Sequence, residues 1–79
     1  MSLSKRDRDF IDRLDGALRV IGSLRPRNPA DIAAIFHNNK IATEAARKLT
    51  AAIGCFRSGD DIGLAEHLDA ADAILAVDA

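Results

Sequence analysis

Apolar residues recur at helical spacing through most of this chain, and most densely between Ile32 and Phe56. One stripe there is Ile32, Ile35, Asn39, Ala42, Ala46, Leu49, Ile53 and Phe56. A second is Ala34, Ile41, Ala45, Ala52 and Cys55. A surface helix buried on one side needs a single stripe. The second, read as an opposite face, therefore predicts a cover: another part of the chain, a second copy or a different protein.

The flanking segments read as two more helices. Ser4, with Asp7 three residues on, predicts a capped start, and Phe10, Leu14, Ala17, Ile21 and Leu24 form the stripe that follows, widened by Ile11 and Leu18. Arg8–Asp12, Asp9–Arg13 and Asp15–Arg19 are opposite charges four apart on the outer side. Pro26 ends this helix, because the residue before a proline is pushed out of the α region. Asn28 then suits an N-cap and Pro29 a first helical residue. The second helix is predicted as one rod to about Phe56, roughly 40 Å at 1.5 Å per residue. A break at His37-Asn38-Asn39 would split it and give four helices. Gly54 and Arg57-Ser58-Gly59 are the signals that stop it. Asp60 and Asp61 suit the first turn of a third helix, whose stripe is Leu64, Leu68, Ala71 and Leu75, flanked by Ala65 and Ile74.

Composition narrows the class. Of the 79 residues, 48% are hydrophobic and fifteen are alanine, with no Trp or Tyr. Alanine favours helix, and strand formers are scarce, so an all-α fold follows. The length holds one domain, residues 1–79, with a thin stability margin. A single cysteine excludes an internal disulfide, and two histidines with one cysteine are a poor supply for a zinc site, so no metal or cofactor is expected. A partner or a second copy is the remaining way to add stability. No apolar run is long enough to span a membrane, and no signal-peptide core follows the first residues; the expected compartment is the cytoplasm.

Net charge is −1, so there is no global basic field for nucleic acid. The distribution is uneven. Lys5, Arg6, Arg8, Arg13, Arg19, Arg25 and Arg27 crowd the front, while residues 60–79 hold five Asp and one Glu and no cation. A basic front and an acidic tail can attract each other within one chain or between two copies.

Chemistry-bearing residues are sparse. His37, Asn38, Asn39 and Lys40 are the most polar cluster of the second helix, and a lone Asn39 on an apolar seam can set register. His67 reads as a boundary histidine and Cys55 as a packing thiol. Arg25 and Arg27 flank Pro26 and suit a phosphate or carboxylate surface, or simply a helix C-terminus.

Two partial resemblances bear on function. The spacing of Arg8, Ile11, Asp15, Leu18 and Arg25 resembles the first helix of the all-helical chorismate mutases. That resemblance implies an enzyme in which Arg8 and Arg25 hold substrate carboxylates, although Pro26 stands where such a helix should continue. Residues 31–49 resemble a helix-turn-helix with its turn at His37–Asn39, which implies that Lys40, Arg47 and Lys48 point at DNA.

The reading that accounts for most of the pattern is a three-helix antiparallel bundle in which the Ile35–Leu49–Ile53 side of helix 2 holds the other two helices. The Ala34, Ile41, Ala45, Ala52 and Cys55 side is then left for a partner, with Arg25 and Arg27 nearby. The expected function is a non-catalytic protein-binding module (an adaptor, regulator or small inhibitor), in its simplest form a homodimer. On this reading Ile41→Asp dissociates the dimer and leaves helicity intact.

Overall fold

Each predicted helix forms, and the caps explain where each begins and where the first two end. A computed structural model describes residues 3–26 and 28–76. Helix α1 spans Lys5–Ser23, α2 Ile32–Ser58 and α3 Asp61–Ala76. Ser4 caps α1, its Oγ accepting from the Asp7 amide at 3.1 Å. The helix stops at Ser23, and Leu24 is already extended ahead of Pro26. Residues 28–31 form a turn in which Asn28 Oδ1 accepts from the Ala30 amide. The N-cap of α2 is Asp31, not Asn28: its carboxylate accepts from the Ala34 amide at 3.1 Å. Asn28 spends its side chain on its own turn, three residues too early to reach the first free amides of α2.

Helix α2 runs unbroken through His37-Asn38-Asn39. Gly54 lies inside it; the stop is Gly59, which adopts the left-handed φ of 79°. There the Asp60 amide donates to Cys55 O at 2.9 Å and the Gly59 amide to Phe56 O at 3.4 Å, the paired bonds of a Schellman ending. Asp60 at once opens α3, its Oδ1 accepting from the Gly63 amide at 2.9 Å. Two residues thus end one helix and start the next. Gly63 leaves room for this cap: a Cβ would overlap the Asp60 carboxylate and lie 3.0 Å from Cys55 Sγ, so those side chains would have to shift.

The tight hairpin lays α3 antiparallel on α2, and this pair holds most of the core. Ile41, Ala45, Leu49 and Ala52 of α2 pack with Leu64, Leu68, Ala71 and Leu75 of α3. Ala45, Ala52 and Ala71 are 0% exposed. Small side chains at these points let the helix axes approach closely, so the larger residues beside them interdigitate. Helix α1 adds only Phe10 and Ala17 to the fully buried set, with Leu14, Ile21 and Leu24 packed at its margin. It runs antiparallel to α2 and parallel to α3, as its ion pairs establish below.

The burial corrects the assignment of faces on α2. Ile41, Ala45 and Ala52, expected on the side left over, belong to the core; Ala45 and Ala52 are fully enclosed and Ile41, at its end, is 7% exposed. Ala34 and Cys55 are half-buried at its edges. Of the other stripe, Leu49 is buried, Ile35, Ala42, Ile53 and Phe56 are half-buried, and Ile32, Asn39 and Ala46 are exposed. The reason is geometric. At 3.6 residues per turn the two stripes are centred roughly 110° apart, not opposite. They form one wide apolar arc, whose alanine-rich sector takes α3 and whose bulky border at Phe56 takes α1. Ile11 and Leu18, expected to widen the buried stripe of α1, are exposed. No helix is long and apolar enough to cross a membrane among the described residues.

Candidate protein-binding surface

Helix α2 outruns its cover. Its 27 residues extend roughly 40 Å, while the 16 of α3 extend roughly 24 Å from the shared turn. The first buried residue of α2 is accordingly Ile41. The two turns before it project from the bundle and carry Ile32 and Phe36, 64% and 68% exposed, four apart on one face. Asp31 fixes the start of this overhang through its capping bond. Its inner side, Ala34, Ile35 and Asn38, is half-buried.

At the opposite end, α1 is fastened by charge. Arg6 stacks over the Phe56 ring at 4.3 Å, donates from Nη2 to Phe56 O at 3.0 Å and from Nε to Asp61 Oδ1 at 2.7 Å. Phe10 stacks on the same ring, centroids 4.3 Å apart and planes at 14°. Two turns on, Arg13 Nη2 donates to Asp69 Oδ1 at 2.9 Å and to Asp72 Oδ2 at 2.7 Å. These two carboxylates, Asp72 foremost, raise the guanidinium pKa further. The basic front and the acidic tail therefore meet within one chain. Because Arg13 turns to α3, it is not spent on Asp9; the Asp15–Arg19 pair forms on the helix as expected, at 2.9 Å. The α1–α3 seam holds one groove of about 490 Å³ between the Arg6 and Arg13 clasps and a second of about 370 Å³ beyond Arg13, lined by Ala17, Val20 and Leu75.

The other candidate residues separate. Arg25 is exposed beyond the end of α1, and Arg27 lies outside the described residues. Arg8 and Arg25, which the enzyme resemblance requires in one cavity, are both exposed, with the helix from Arg8 to Ser23, roughly 22 Å at 1.5 Å per residue, between them. Lys40, Arg47 and Lys48 are exposed on α2, but the turn that a helix-turn-helix needs at His37–Asn39 is absent because the helix is continuous. Asn39 is exposed, at a solvated edge of the stripe. Cys55 packs behind the α2–α3 turn; burial first, then the charge of Asp60, pushes its thiol pKa up, away from nucleophilic use. Among the described residues no group of three or more His, Cys, Asp and Glu is placed to hold a metal ion.

Sequence reasoning missed the overhang. Its signal was present as a difference in length between two helices joined by a tight turn. No protein-family model matches this chain, and neither does any curated protein or solved structure.

Proposed function

We propose that this chain is a non-catalytic protein-binding module, an adaptor, regulator or small inhibitor, that works through the projecting N-terminal end of α2. One observation carries the reading: Ile32 and Phe36 stand exposed, side by side, on a capped helical overhang. Two large apolar side chains on a firm helix make an anchor that a partner can bury with little loss of entropy. Self-association is the simplest form, since a two-fold axis at the overhang brings both pairs together.

The test is the double substitution Ile32→Asp/Phe36→Asp. Both positions are outside the core, so helicity is retained and stability shifts by about 0.5 kcal/mol or less. Sedimentation of the native chain should give a concentration-dependent mass above that of one chain, and the variant a single-chain mass throughout. A native chain that remains monomeric at the highest soluble concentration removes the homodimer. An unchanged association in the variant removes the overhang as its surface.

A further inference from the structure

We infer that the outer face of α2 is a docking strip for an acidic segment of another protein, whose carboxylates lie along Lys40, Arg47 and Arg57. This rests on the reading above in one respect: the same face begins with Ile32 and Phe36, where the apolar residues of that partner sit.

The strip follows from the sequence of α2 and from the side on which α3 packs. α2 carries four cations, Lys40, Arg47, Lys48 and Arg57, against one acid, Glu44, and all five are exposed. At 3.6 residues per turn Lys40 and Arg47 stand nearly in line, roughly 145° round the helix from the buried Ile41, Ala45, Leu49 and Ala52. Lys48 and Arg57 flank that line on either side. Phe36 continues it towards the start of the helix, with Ile32 beyond. The four cations are spread over roughly 25 Å of helix axis.

These charges are uncommitted. Arg6, Arg13 and Arg19 of α1 are each held by carboxylates, whereas none of the four cations of α2 has an ion-pair partner among the described residues. α3 carries four acids and no cation, but it packs against the buried side of α2. Three of those acids, Asp61, Asp69 and Asp72, turn to α1. The fold thus spends the acids of α3 on α1 and leaves the cations of α2 facing outward.

The kind of anion follows from range and relief. With a net charge of −1 the whole chain exerts no long-range pull on an extended polyanion, nucleic acid or an anionic bilayer. Within a Debye length, about 8 Å in physiological salt, the strip still presents a local positive field. Beside the cations the face consists of Thr43, Ala46, Thr50 and Gly54, all exposed. The Thr43 and Thr50 hydroxyls donate back to the Asn39 and Ala46 carbonyls, at 2.8 and 2.9 Å. A helix seated in a bilayer needs large apolar residues along its length, and here they stand only at one end. A low surface edged by cations instead accepts an acidic helix laid lengthwise. The charges select and orient that helix, and the apolar pair anchors its end.

The experiment uses the full chain, ¹⁵N-labelled, and two alanine-rich helical peptides of about 20 residues, roughly 30 Å long, with a glutamate at every third or fourth position. One of them ends in a leucine pair. At low salt either peptide should shift the amides of Lys40, Thr43, Arg47, Thr50 and Arg57 and leave those of α3 in place. Binding should weaken about tenfold or more on going to molar salt. Lys40→Gln/Arg47→Gln/Arg57→Gln, all at exposed positions, should weaken it about tenfold. Lys5→Gln/Arg8→Gln/Arg25→Gln removes the same charge from exposed positions off α2 and should change binding by about twofold at most. Equal losses in the two variants, or no shift on α2, overturn the proposal. Tighter binding of phosphatidylserine vesicles or duplex DNA than of either peptide also overturns it. So does a shift of the same amides with chain concentration alone, which gives the strip to a second copy. The leucine pair separates the two readings. Tighter binding of the leucine peptide, lost in Ile32→Asp/Phe36→Asp, supports both. Equal binding of the two peptides keeps the strip and removes the overhang as its anchor.

Discussion

Ile41 changes meaning between the pattern and the fold. As an apolar knob on a free face it would tolerate Asp; enclosed between α2 and α3 it does not. Burying a carboxylate without a partner there costs several kcal/mol, comparable with the whole margin of a chain this size. Ile41→Asp is therefore expected to abolish the helical circular dichroism signal rather than merely lower an oligomer mass. Glycines give a sharper contrast, because the substitution is the same and the sign differs. Gly54→Ala meets nothing within 4 Å and should stabilise by about 0.5–1 kcal/mol through helix propensity. Gly63→Ala, also helical, drives its methyl into the Asp60 cap and Cys55, and should destabilise by about 1 kcal/mol or more through loss of the cap. Urea unfolding of both variants checks the pair of signs.

Two kinds of adhesion operate between the elements. α2 and α3 are joined by apolar packing around three enclosed alanines and by a turn in which one cap hands over to the next. α1 is held by an aromatic stack and by ion pairs whose carboxylates are more than half exposed. Exposed pairs of this kind contribute roughly 0.2–1 kcal/mol each and are screened by salt. Arg13→Ala, which removes two, should cost about 1 kcal/mol at low ionic strength. Most of that cost should vanish in molar salt. A salt-independent loss, measured by urea unfolding at both ionic strengths, would show that the guanidinium stem and not its charge carries the contact.

The molecule as a whole is long and thin, 46 × 23 × 15 Å, because a long helix is covered over only part of its length. Protection of backbone amides should follow that coverage. Hydrogen exchange is expected to be slowest at residues 41–52 and 64–75, faster in α1 and fastest in the overhang before Ile41. Equal protection of α1 and the hairpin would mean that the three helices open only together, by global unfolding.

Much of this architecture was legible in the residues. Ser4 with Asp7, Pro26, Gly59 and the paired Asp60-Asp61 are local instructions, and helix number and order, the α3 stripe and the continuity of α2 follow from contacts a few residues apart; Pro29, expected as the first helical residue, lies instead in the turn before α2. The front-to-tail charge asymmetry allowed an attraction within one chain or between two copies, and the fold realises the first through the Arg6 and Arg13 ion pairs. Which sector of α2 faces inward was not local. It depends on how close two axes can come, and Ala45, Ala52 and Ala71 allow an approach that outweighs the larger residues of the neighbouring stripe. The exposed pair at Ile32 and Phe36 is likewise a product of assembly: Ile32 belongs to an apolar stripe in the sequence, and Phe36 lies outside both stripes. They are left outside because α3 is shorter than the helix it covers.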